Sequence, residues 1–112
     1  MSILTKTAYA QATSATIVDV EASFVRGFSG LQLIGNVTEV CRSGLERARV
    51  ALESTGIILP QKKIVLSILP CDEKKDGNQF DLPLAIAIYG LTLNIPPQVN
   101  LQKWLLCAEL GL

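Results

Sequence analysis

The sequence predicts an α/β (α+β) domain in which two main helices pack on a mixed sheet. Three observations carry this expectation. Apolar and polar residues alternate from Thr13 to Phe24, and apolar residues recur at three-and-four spacing from Val37 to Thr55. A nearly continuous apolar run, Ile64 to Ile68, then separates that helix from a second helical segment, giving an order of strands, helix, strand, helix, strand.

The first strand spans about Ile3 to Ala10, with a polar interruption. In the second, Val18, Val20 and Ala22 take the inward face and Asp19 and Glu21 the outward one, the pattern of a half-buried strand. The two pair as a hairpin around Gln11 to Ser14. The glycines of Arg26-Gly27-Phe28-Ser29-Gly30 supply a turn, and Leu31 to Ile34 forms a short strand ending at Gly35. Asn36 is placed to cap the first helix, with Glu39 completing a capping box. Val37, Val40, Cys41, Gly44, Leu45, Ala48, Ala51, Leu52 and Thr55 form its apolar stripe. Arg42, Glu46, Arg47, Arg49 and Glu53 fill its other side, and Gly56 closes it as a left-handed cap.

After Pro60, Lys62 to Leu69 resumes as a mostly buried strand that Pro70 stops. Cys71 to Gln79 reads as a charged loop. Asp81 is placed to cap the second helix, where Pro83 is tolerated because first-turn amides lack an intrahelical partner. Leu84 to Leu91 is apolar on nearly every side, so this helix needs a sheet below and something else above. Pro96-Pro97 breaks it, and Trp104 to Leu110 is expected as a final strand. A chain stopping on that strand suits a single accessory domain, residues 1–112, truncated on its C-terminal side.

At 112 residues the chain is long enough for one core. With 49% apolar and 18% charged residues, against about 25% charged in typical soluble domains, a disordered chain is excluded. The apolar surplus serves either a well-filled core or a surface meant for a partner. Ten basic and ten acidic residues cancel, so no net field steers the domain toward nucleic acid. Cys41, Cys71 and Cys107 lie far apart without a C-x-x-C spacing, as expected of reduced core thiols in a cytoplasmic protein. No signal peptide is evident, and Leu82 to Leu93 falls short of the roughly 20 residues that span a bilayer. A soluble, cytoplasmic protein without a membrane partner is expected.

The chemistry-bearing patterns fail one by one. Gly27-Phe28-Ser29-Gly30 lacks the spacing and the lysine of a phosphate-binding loop. Histidine is absent, which removes Ser-His and Cys-His catalysis and imidazole metal sites. A calcium loop starting at Asp72, and drawing on Glu73, Asp76 and Asn78, fails because Lys74 and Pro83 stand at ligand positions. No catalytic, cofactor-binding or metal residue is therefore assigned. The candidate face for DNA or a partner holds Arg42, Arg47, Arg49, Lys62 and Lys63, without an aromatic stacking platform. Its arginines alternate with Glu46 and Glu53 at pairing distance, and each exposed helical pair is worth only about 0.2–0.5 kcal/mol, which a phosphate can displace.

Several stretches, in order, resemble one family. They are Gly27-Phe28-Ser29-Gly30-Leu31-Gln32-Leu33-Ile34-Gly35, the helix with Arg42, Glu46-Arg47 and Arg49, and Pro60-Gln61-Lys62-Lys63-Ile64. Leu69-Pro70, Lys75-Asp76-Gly77, Phe80-Asp81-Leu82-Pro83-Leu84-Ala85 and Ala108-Glu109-Leu110 follow. Together they resemble the N-terminal domain of magnesium-chelatase-related ComM/YifB proteins. The sequence departs from the family pattern at Ser29 (usually proline), at Asn36-Val37-Thr38 (usually a Leu-Pro-Asp type helix start) and at Cys71 (usually a small residue).

The resemblance implies a ribosomal-protein domain-2-like fold, similar to the proteolytic domain of Lon. It implies a parent with an AAA+ ATPase module, absent from this chain, that uses ATP and Mg. The implied parent is hexameric and acts in DNA branch migration during natural transformation, with neighbouring subunits and the rest of the parent as partners. Asp81 matches the place of the Lon serine, and the Lon lysine would lie beyond Leu112. The expectation is a non-catalytic accessory or assembly domain, with a Lon-like Ser-Lys peptidase and a stand-alone nucleic-acid-binding module as alternatives.

Overall fold

The computed structural model describes residues 2–11, 13–70, 75–93 and 100–110. β1 (Ser2–Gln11) and β2 (Ser14–Val25) form the expected antiparallel hairpin, closing at the Gln11–Ser14 pair. β4 (Lys63–Leu69) adds antiparallel to β2, and β3 (Gly30–Ile34) lies parallel to β4, giving a mixed sheet of order β1-β2-β4-β3. The parallel pair needs a crossover, which the first helical region provides.

The inward faces carry the core: Val18, Val20 and Ala22 of β2 are buried, as the alternation predicts, while β4, expected to be mostly buried, alternates and buries Ile64, Leu66 and Ile68. The polar interruption of β1 has a structural use. Thr5 and Thr7 occupy its inward face fully buried, and the Thr5 hydroxyl donates to the Pro83 carbonyl at 2.9 Å.

The first helix differs from expectation at its start and in its middle. Thr38, not Asn36, is the N-cap, its hydroxyl accepting from the Cys41 amide. The backbone around Asn36 is committed elsewhere: the Asn36 carbonyl accepts from the Lys75 amide at 2.8 Å and the Thr38 amide donates to the Lys75 carbonyl at 2.9 Å. This extended bridge delays helix entry by two residues. The helix is then divided into α1 (Glu39–Arg42) and α2 (Gly44–Ser54). At the junction the Ser43 hydroxyl donates back to the Glu39 carbonyl at 2.8 Å, a contact that competes with the helical ladder and bends it. Gly56 closes α2 as predicted, at φ 92°. The Ile57 amide reaches the Leu52 carbonyl and the Gly56 amide reaches that of Glu53, the paired bonds of a left-handed helix stop.

α3 (Asp81–Leu93) crosses β1 and β2 and packs sideways on α2, which supplies the all-round cover that its apolar sequence demands. Two expectations are corrected at its start. Trp104 to Leu110 is not a strand: Leu105 makes a single parallel bridge to Lys6, and the segment then leaves the sheet. Its backbone is used on α3 instead, with the Ala108 amide donating to the Gln79 carbonyl and the Ala108 carbonyl accepting from the first-turn amide of Leu82 at 3.2 Å. Asp81 is likewise not a cap. It is the first residue of α3, and its carboxylate turns to Arg47 and the Leu110 amide. Cys71 to Lys74 and Pro96-Pro97 lie outside the described residues. Among those described, no helix is long and apolar enough to cross a membrane.

A Cβ at the left-handed Gly56 is expected to cost about 1–2 kcal/mol. Gly56→Ala should lower the urea midpoint of the chain accordingly, and an unchanged midpoint would contradict the helix stop described.

Candidate functional site: a buried ion pair and a basic groove

The junction of α2, α3 and the returning segment is built on one charge. Asp81 is completely buried, while Arg47 keeps 23% of its side chain exposed. Arg47 meets the carboxylate bidentately, Nε to Oδ2 at 2.6 Å and Nη2 to Oδ1 at 2.9 Å, and the Leu110 amide adds a third donor to Oδ2. Such charge-assisted, two-pronged contacts are the strong kind. Nη2 also reaches the Val40 carbonyl and Asn78 Oδ1, both at 3.1 Å. Asn78 Nδ2 in turn donates to Glu109 at 2.6 Å, tying the returning segment to the junction.

Gly44 permits this approach. A Cβ there would stand 2.3 Å from Asp81 Oδ1, so only glycine lets the backbone of α2 lie against the carboxylate. The hydrogen bonds that Arg47 donates to Asp81 hold its guanidinium above its ordinary pKa, against the opposing effect of desolvation. Nearby, burial first and the Asp81 and Asp76 carboxylates second push the Cys41 thiol up to about 11. At neutral pH Cys41 is therefore a protonated core thiol and a poor nucleophile. Asp76 accepts from the Thr38 hydroxyl and the Gly77 amide. Asp72 and Glu73 lie outside the described residues.

The second feature is a groove of about 410 Å³ between α2 and the β3–β4 edge, floored by Leu31, Leu45 and Ile64. It lies where Leu45, Glu46 and Arg49 of α2 face Gly30 and Leu31 of the edge strand β3. Arg42, Arg49 and Lys62 stand around it, together with Glu46. Arg49 is held between Glu46 and Glu53, at 3.1 Å and 2.9 Å, so its charge is matched locally. The same bonds hold Arg49 above, and Glu46 below, their ordinary pKa values.

Arg42 and Lys62 differ. Arg42 Nη1 donates to the Leu33 carbonyl at 3.0 Å. Because the Gly30 amide faces Lys62 of the neighbouring chain segment, alternation sends the Leu33 carbonyl to the open edge, and Arg42 covers it. Lys62 Nζ sits 4.8 Å from the centre of the Phe24 ring. Among the described residues neither cation has a carboxylate partner.

Of the five basic residues singled out in the sequence, the groove thus unites Arg42, Arg49 and Lys62. Arg47 is spent in the buried pair, and Lys63 lies on the opposite face of β4, beneath Gly27. An aromatic does accompany the patch, which the sequence did not indicate: Phe24, with Lys62 over its face. The pairing of Arg47 with Asp81, distant in sequence, was also missed. The available signal was Gly44, since a glycine within a helical pattern costs about 1 kcal/mol relative to alanine and calls for a packing reason.

Gly44→Ala should displace Asp81 and destabilise the chain by about 1–3 kcal/mol despite the better helix propensity of alanine. A thermal melt showing equal or greater stability would contradict the close approach.

Residues 20–112 match the family described as subunit ChlI of Mg-chelatase. The chain is 30% identical over 95 residues to the uncharacterized protein YifB of Salmonella typhimurium, covering 85% of this chain and 19% of that protein. It is 31% identical over 98 residues to the competence protein ComM of Haemophilus influenzae, covering 88% of this chain and 19% of that protein. It therefore spans about a fifth of the length of these relatives. With the match extending over most of its residues, the chain belongs to the magnesium-chelatase subunit ChlI family and is homologous to YifB and ComM.

Proposed function

We propose that the chain is a non-catalytic accessory or assembly domain, residues 1–112, of a ComM-like AAA+ ATPase. The observation that carries this is the state of Asp81. At the position where the family resemblance implies the Lon serine stands a buried carboxylate, bonded by Arg47 and the Leu110 amide and offering no hydroxyl for attack. The site is a structural lock.

ATP binding and Mg belong, on this proposal, to a separate module of the parent. The relatives named YifB and ComM are about five times longer than the matched region, which leaves room for one. The parent would assemble as a hexamer in the cytoplasm and act on DNA in branch migration during natural transformation. The domain would contribute contacts to neighbouring subunits through the groove rather than reactive groups. A Ser-Lys peptidase is disfavoured by the acid at position 81. A stand-alone nucleic-acid module is disfavoured because Arg47 and Arg49 are already matched by carboxylates.

The test uses the full-length parent. Deleting residues 1–112 should weaken nucleotide-driven hexamer formation, read by analytical ultracentrifugation, while the ATPase module stays folded. Unchanged assembly together with unchanged processing of branched DNA would contradict the proposal.

A further inference from the structure

The groove beside β3 combines features that a folded core does not need. Its floor is aliphatic, yet Arg42 and Lys62 at its rim keep charges without carboxylate partners among the described residues. The two loops that lead into groove-lining residues also expose large apolar side chains. Phe28, two residues from the groove-lining Gly30, is 98% exposed, and Ile58, next to the groove-lining Leu59, is 87% exposed. Large side chains held so openly, beside a concave aliphatic site, mark a surface built for contact.

We infer that this groove docks a peptide segment in which a carboxylate side chain neighbours a large aliphatic or aromatic one. The apolar side chain enters the floor at Leu31, Leu45 and Ile64, and the carboxylate meets Arg42 and Lys62. The occupant's charge follows from complementarity: among the described residues Arg49 is matched by carboxylates, whereas Arg42 and Lys62 are not. A volume of about 410 Å³ accommodates one or two side chains, and the exposed Phe28 and Ile58 extend the contact beyond what a small metabolite covers. A nucleic acid fits less well. The floor is aliphatic rather than a stacking platform, and the face of Phe24 is occupied by Lys62.

The inference rests on the accessory-domain proposal and names the chemistry of its partner. The two fail separately: peptide selection is read on the 112-residue chain alone, hexamer formation on the parent. The chain is panned against displayed random dodecapeptides, and the enriched peptides are labelled and titrated by fluorescence anisotropy. Enriched sequences should pair Asp or Glu with Leu, Ile or Phe. Binding should weaken with salt and shift the amide resonances of Leu31, Leu45 and Lys62. Arg42→Gln with Lys62→Gln should reduce affinity about tenfold or more, and Lys62→Gln alone, which touches no backbone group, should reduce it measurably. Lys103→Gln, on the exposed turn far along the chain, should leave it unchanged. Enrichment without an acidic residue, equal affinity in the Lys62 variant, shifts confined to another surface, or displacement of the peptide by single-stranded DNA would each overturn the inference.

Discussion

A carboxylate buried at the start of an otherwise apolar helix is the constraint on which this fold turns. An unpaired buried charge is costly, and its pairing must be geometrically good to compensate for lost hydration. Asp81 obtains that pairing from the Arg47 fork and the Leu110 amide. Each donor comes from a different part of the chain, so satisfying one carboxylate brings α2, α3 and the returning segment to a common point. The demand explains local choices as well. Gly44 removes the side chain that would block the approach, and the Ala108 carbonyl takes over the Leu82 amide while Asp81 faces away.

The groove is the counterpart of that junction. α2 packs against α3 on one side, and on the other it faces the five-residue strand β3 at the sheet edge across an open concavity. Arg42 protects the edge by taking the Leu33 carbonyl, which discourages another strand from pairing there. The remaining concavity is apolar at its floor and cationic at its rim. Junction and groove thus lie on two sides of α2, one closed by an ion pair and the other open at the surface.

Much of this was legible from residue patterns, because local rules governed those parts. The alternation of β2 identified Val18, Val20 and Ala22 as core, and Gly56 marked the end of α2 through a backbone conformation that favours glycine. The all-round apolarity of α3 correctly demanded cover on several sides. What escaped depended on contacts between distant segments. Asn36 looked like a cap until its backbone paired with Lys75. Trp104 to Leu110 has the composition of a strand, yet its amides and carbonyls serve the start of α3. The five-cation face was read from helix and strand positions alone, and packing dispersed it: Arg47 went inward and Lys63 to the other side of the sheet.

The most direct test of this account is a double-mutant cycle on the pair, using Arg47→Ala, Asp81→Ala and their combination, with stability read from urea denaturation. Removing Arg47 strands a buried charge and should cost about 3 kcal/mol, the low end for such pairs because the guanidinium is partly exposed. The double variant should be no less stable than the Arg47 variant, giving a coupling above about 1 kcal/mol. Additive losses, with coupling near zero, would show that the junction does not depend on this ion pair.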